Sequence, residues 1–199
     1  MSLMSEAKTL LNLAGDYFGA RKSLTAITAR ATITYAKFGQ QTDQWAALLD
    51  AGKSVEIPVR DLLNKLQNAT TQLAKSSFAA LSVEVEPLLH RSNELENIAE
   101  DIFKASQQSQ DEALKNLKSA WHAKDPNSQK SVDHLKKAEA ICSSAAVELD
   151  KQIKTRETVN LQLEDVAYRT YLALPDKKDL PRSAYTPSMR QKLGGSSQT

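Results

Sequence analysis

Between Leu10 and Leu48 the apolar residues recur at alternating spacings of three and four: Leu10, Leu13, Tyr17, Ala20, Leu24, Ile27, Ala31, Thr34, Phe38, Gln41, Trp45 and Leu48. Ten of these twelve positions are apolar, the repeat of a helix laid against partners and not the alternation of a strand. The same spacing runs through Leu62, Leu66, Thr70, Leu73, Ser77, Leu81, Val85 and Leu88, then Leu95, Ile98, Ile102, Ala105, Ser109, Ala113, Leu117 and Trp121 or Ala120. It returns as Leu135, Ala138, Cys142, Ala145, Leu149, Gln152, Arg156, Val159, Leu163, Val166 and Thr170. The pattern predicts three long helices over about residues 6–50, 59–124 and 129–174. Gln152 and Arg156 interrupt the last seam, which marks them for polar contacts with another chain.

Punctuation between the seams sets the boundaries. Gly52 can take a left-handed cap conformation after Ala51, Lys53 to Pro58 then reads as a linker, and Pro58 suits a helix start. Pro87 has no turn-forming neighbours and predicts a kink in one continuous second helix. Lys124-Asp125-Pro126-Asn127-Ser128 is the clearest turn, and so short a connection makes the helices on either side antiparallel. The fold class expected is therefore all-α, a long antiparallel three-helix coiled coil occupying residues 1–174. Residues 175–199, richer in Pro, Gly and Ser, read as a tail. At ~1.5 Å per residue the second helix would span on the order of 100 Å, too long for a small globule. Apolar seams on all three helices predict packing on a second copy, an elongated homodimer.

Composition narrows the alternatives. The 199 residues suit one domain, and 6 Gly with 6 Pro are too few for a sheet protein with many turns. No apolar run approaches the roughly 18–20 residues of a spanning helix, and no cleavable leader is evident, so a cytoplasmic protein, or one peripheral on the cytosolic face of a membrane, is expected. The single Cys142 permits no disulfide within one chain and reads as a small hydrophobe on a helix face.

The net charge of +2 conceals an uneven distribution. Residues 84–112 hold eight acids against Arg91 and Lys104, a net of −6, whereas residues 113–137 hold six lysines against Asp125 and Asp133, a net of +4. The six are Lys115, Lys118, Lys124, Lys130, Lys136 and Lys137. They gather where the second and third helices meet, so they can reach a flat anionic surface together, each worth ~1 kcal/mol against an anionic leaflet. Leu10, Leu11, Tyr17 and Phe18, followed by Arg21 and Lys22, form a second candidate, either an amphipathic segment lying in a membrane or the start of the core helix.

Catalytic constellations are missing from the sequence. His90, His122 and His134 lack metal-ligand spacing, and neither a Gly-rich phosphate loop nor a nucleophile elbow is present. The lysine cluster lacks the arginines and stacking platform expected of a nucleic-acid site. The chain reads as non-enzymatic, without cofactor or metal.

Long first helix, longer second helix with Val85-Glu86-Pro87-Leu88 near its middle, short distal loop and long third helix together resemble the BAR domain, a membrane-curvature module. The loop Lys124 to Ser128, with Lys130 after it, resembles that of the fungal eisosome BAR proteins. The resemblance covers about residues 10–174. It implies an antiparallel homodimer with a six-helix central bundle, and basic residues on a concave face and tips that bind phosphatidylserine or phosphoinositides; by position these are the six lysines. The expected function is a homodimeric scaffold that binds anionic membranes and senses or shapes curvature. The alternative is a coiled-coil adaptor that binds other proteins without lipid.

Overall fold

The apolar seam of the first segment does not stop at Gly52. Trp45, Leu49, Gly52, Val55, Val59, Leu62 and Leu66 are all buried at spacings of three or four, and the helix they belong to runs without interruption. In the computed structural model, which describes residues 22–125, 128–178 and 180–194, the elements are α1 (Lys22–Gln67), α2 (Gln72–Asn97), α3 (Ala99–Trp121), α4 (Gln129–Ala173), a 3₁₀ turn (Arg182–Ala184) and α5 (Pro187–Gly194). The fold is all-α, with no strand among the described residues. The predicted part of the first helix before Lys22, including Leu10, Leu11, Tyr17 and Phe18, lies outside the described residues.

The boundaries expected at 51–58 are thus corrected: that stretch is helix, with Pro58 inside it. Proline there removes one donor. Ser54, whose carbonyl would have received it, is exposed, so water can replace the bond. The break comes instead at Asn68 to Thr71, where Thr71 takes extended backbone (φ −72°, ψ 143°) and its Oγ1 accepts from the Ala74 N–H at 3.3 Å. That is an N-cap, and it ends the seam before Leu73, which is 78% exposed. The predicted second helix is interrupted once more, at Ile98 and not at Pro87. Pro87 lies inside α2, whereas Ile98 has ψ −6° and its N–H returns to the Glu94 carbonyl. Beyond it Ser106 is buried in place of the expected Ala105, and the seam resumes at the expected Ala113 and Leu117.

The chain divides into two compact units. In the first, α1 as far as Trp45 joins α3 and α4 as far as Gln152. Phe38, Trp45, Leu117, Leu135 and Cys142 are among its fully buried side chains, each large apolar one worth ~1.5–3 kcal/mol of transfer free energy. Stepping back along α3 from Asn116 to Glu112 moves the α4 partner forward from His134 to Lys137, so these two helices are antiparallel. In the second unit, α1 from Ala46 joins α2, α4 from Ile153 and the C-terminal elements. Its core includes Val59, Leu62, Leu66, Val85, Leu95 and Leu163. There, Ser92 faces Arg156 and Glu84 faces Arg169, again an antiparallel register.

Arg156 is not turned toward another chain. It is fully buried within the second unit. Its Nη1 donates to the Ser92 carbonyl at 3.2 Å and to Ser92 Oγ, its Nη2 to the Leu49 carbonyl at 3.4 Å and its Nε to the Leu48 carbonyl at 3.4 Å. Glu56 and Glu96 stand at 3.6 and 3.8 Å from Nη2, and Ser92 Oγ in turn donates to Glu56. Burial lowers the affinity of the guanidinium for its proton, and the two carboxylates oppose that shift. Gly52 makes the cluster fit, because a Cβ there would lie 1.5 Å from Arg156 Nη2. Asn160, one turn on, donates to the Leu48 carbonyl at 2.9 Å.

The segment expected as a tail also packs. Ala184, Thr186 and Met189 are buried in the second unit, and the Tyr185 ring lies 5.8 Å from that of Tyr171.

Candidate functional site

Lys115 and Lys118 share one face of the last two turns of α3, three residues apart. α3 ends at Trp121, and the His122 N–H still reaches back to the Lys118 carbonyl at 3.0 Å. Lys118 in the last turn complements the negative end of the helix dipole. Across the turn, Ser128 caps α4: its Oγ accepts from the Ser131 N–H at 3.3 Å, and its own N–H donates to the Asp125 carbonyl at 3.1 Å. Ser131 Oγ, buried, also donates to the Asp125 carbonyl at 3.1 Å. The turn is thereby tied to the first turn of α4 by a capping serine.

All six candidate lysines are exposed. Lys124 and Lys130 come together on one cleft of about 380 Å³, with Ser119, Asp125, Ser128, Ser131 and His134 beside them. The positive end of α4 opens at the same place. Lys137 is differently placed, since its Nζ is 2.9 Å from Glu112 Oε1. The hairpin is braced by Asn116, a buried amide whose Nδ2 donates to the Glu112 carbonyl at 2.8 Å. Its Oδ1, 2.9 Å from His134 Nδ1, accepts the ring proton and so fixes the tautomer.

The acidic stretch beside the lysines is spent on cations of its own unit. Five of its eight acids are paired: Glu84 with Arg169, Glu94 with Arg91, Glu96 with Arg156, Glu100 with Lys104 and Glu112 with Lys137. The Arg169 guanidinium holds the Glu84 carboxyl below the usual carboxylate range, chiefly through its hydrogen bond. The sequence showed this stretch only as a block of negative charge, because Arg156 and Arg169 on α4 lie 60 and 85 residues from Glu96 and Glu84 and become their neighbours only on folding. Asn116 was likewise unremarkable beside Leu117. A polar residue next to a seam position, one helical turn from Glu112, was the signal available.

The chain matches no family model, no curated protein and no solved structure. Among the described residues no group of three or more His, Cys, Asp or Glu side chains is arranged to hold a metal ion. No described helix is long and apolar enough to cross a membrane. The hairpin end offers a mainly cationic and hydrogen-bonding surface: two ammonium groups, serine hydroxyls and a helix N-terminus within one cleft, with Asp125 as its one carboxylate. Such a set complements phosphate or carboxylate oxygens.

Proposed function

We propose that the chain is a non-enzymatic scaffold of the BAR type, whose lysine-rich hairpin end binds anionic membranes and, as an elongated homodimer with a six-helix central bundle, senses or shapes their curvature. The observation that carries this reading is the exposure of all six lysines around one helix hairpin end, with only Lys137 drawn into the Glu112 ion pair. Internal pairing of the neighbouring acids supports it further, since paired carboxylates repel an anionic leaflet less. Within the reading the three long seams form a coiled coil, and exposed Leu73, Val83, Val147 and Leu161 are available to a second copy.

Those same exposed side chains favour a second reading, a coiled-coil adaptor that binds proteins without lipid. Co-sedimentation with phosphatidylserine-containing vesicles separates the two. Wild type pellets at low salt, and at ~1 kcal/mol per lysine the fourfold change of Lys118, Lys124, Lys130 and Lys136 to Glu lowers the partition coefficient by more than about 100-fold. Lys137 is left in place because it serves Glu112. Failure of the wild type to pellet, or equal pelleting of the fourfold variant, rejects the lysine mechanism, and the first outcome favours the adaptor.

A further inference from the structure

The C-terminal segment from Arg182 to Gly194 lies against α4 as a strap, and its centre is Thr186. Thr186 is fully buried. Its Oγ1 donates to Glu164 Oε2 on α4 and accepts from the Met189 N–H at 3.2 Å, which makes it the N-cap of α5. Pro187 follows at the first helical position. The residues on either side, Pro181 to Ser183 before and Pro187 and Ser188 after, are exposed, and Tyr185 is extended (φ −110°, ψ 125°). The strap is also held by buried Ala184 and Met189, by the tilted Tyr171–Tyr185 ring pair, and by Lys192 Nζ at 5.3 Å from the Tyr168 ring.

We propose that Thr186 is a phosphoacceptor for a proline-directed serine/threonine kinase, and that its phosphorylation releases the strap from α4. The sequence supplies the Thr-Pro dipeptide and the fold supplies the consequence. In the step itself Thr186 Oγ1 attacks the γ-phosphorus of ATP, the bond from that phosphorus to the bridging oxygen breaks, ADP leaves, and the hydroxyl proton passes to the kinase's base.

The product cannot return to the same seat. The docked hydroxyl is a donor to a carboxylate, and the phosphate ester replaces it with acceptor oxygens carrying ≈ −1.5 to −2 charge at pH 7. Like charge would then face Glu164, a half-buried carboxylate, across the contact that the hydroxyl now makes. An adjoining open space of about 240 Å³, lined by Glu164, Asp165, Ser188 and Lys192 among others, offers two carboxylates to one ammonium, and Asp165 is already shared with Arg169. A phosphate can still accept from the Met189 N–H, so the charge acts on docking and not on the start of α5. Because Thr186 is buried, the kinase takes the lifted strap from a minor population, and the modified form then accumulates in that state. The inference stands on the second unit alone and is independent of lipid binding.

The test uses the full chain, either treated with ATP and a proline-directed kinase or assembled by ligation with phosphothreonine at 186. Amide hydrogen exchange is read over residues 180–194. Phosphorylation is expected to speed exchange there at least tenfold while the core of α4 is unchanged, and Glu164→Gln is expected to recover part of the protection, since the amide can donate to the phosphate. Thr186→Val, which loses the hydrogen bonds without adding charge, should loosen the strap by less. The proposal is overturned if the phosphorylated chain exchanges as slowly as the unmodified one, if Glu164→Gln changes nothing, or if a kinase that modifies the free 180–194 peptide leaves the folded chain unmodified at Thr186.

Discussion

Replacing Gly52 by Ala in the middle of a long helix would ordinarily stabilise it by roughly 0.5–1 kcal/mol, because glycine loses more backbone freedom on folding. Here the sign should reverse. The new Cβ would stand 1.5 Å from Arg156 Nη2, 2.3 Å from Cζ and 2.6 Å from Nε. To clear it, the guanidinium must move by about 2 Å, judged against ordinary carbon contact distances of ~3.5–4 Å. Its bonds to the Leu48 and Leu49 carbonyls are already 3.4 Å long and do not survive such a shift. Each hydrogen bond to a charged group contributes ~1.5–3 kcal/mol, and disturbing a buried pair costs ~3–5 kcal/mol. After the helix gain is subtracted, Gly52→Ala is expected to destabilise by ~2–4 kcal/mol, a fall of roughly 5–15 °C in Tm for a chain of this size. Urea unfolding followed by circular dichroism, applied to wild type, Gly52→Ala, Arg156→Leu and the double variant, isolates the contact. With Arg156 absent the alanine should be neutral or mildly stabilising, leaving a coupling energy of ~3 kcal/mol. A Gly52→Ala chain as stable as wild type, or a coupling below ~0.5 kcal/mol, would refute the reasoning.

Two further predictions concern titrating groups. Burial pushes the Cys142 thiol up to about 11, so at pH 8 only about one molecule in a thousand carries the thiolate. Alkylation of the folded chain should run more than about 100-fold slower than in urea, and labelling at the rate of an unfolded thiol would contradict the burial. The same shift is lost stability in alkali: the folded state holds the proton longer, so its contribution is full below the unfolded value of ~8.5 and declines as pH rises toward about 11. For Glu84 the sign is opposite. Its carboxyl is held low by Arg169, so its contribution is present above ~4.3 and fades as acid is added through the depressed folded value. With the two side chains 48% and 40% exposed, solvent screening keeps that contribution below ~1 kcal/mol. Glu84→Gln should therefore cost less than this at pH 7 and progressively less as acid is added, by denaturant midpoint; a larger loss, or one that does not shrink in acid, counts against the assignment.

Helix character was legible because it is local: a spacing of three and four survives any tertiary arrangement. The apolar seam around Leu62, Leu66, Leu163 and Val166 could be read residue by residue. Where one helix stopped was less legible, since proline and glycine were weighed as local breakers. Gly52 answers instead to Arg156, 104 positions away, and Pro58 to a seam that continues through Val55 and Val59. The break at 68–71 had its own local signature, an Asn-Ala-Thr-Thr run with a capping threonine, but Thr70 fitted the seam spacing and hid it. Of the lysine end, position and exposure were readable. The removal of Lys137 by Glu112, and the bracing by Asn116 and His134, depend on the pairing of two helices and have no trace in either one alone.

The two tryptophans of the chain, Trp45 and Trp121, both belong to the first compact unit. Tyr168, Tyr171 and Tyr185 belong to the second, where no tryptophan accompanies them. The protein thus arrives with tryptophan in one half only and with three of its five tyrosines in the other. Emission excited at 295 nm, where indole alone absorbs, reports on the unit that carries the lysine end, and tyrosine absorbance in the near ultraviolet is weighted toward the unit that carries Arg156 and the strap. A coincident change in both signals during unfolding would mean that the long helices α1 and α4, which run through both units, transmit loss of structure from one to the other; separate changes would mean that each unit melts on its own account.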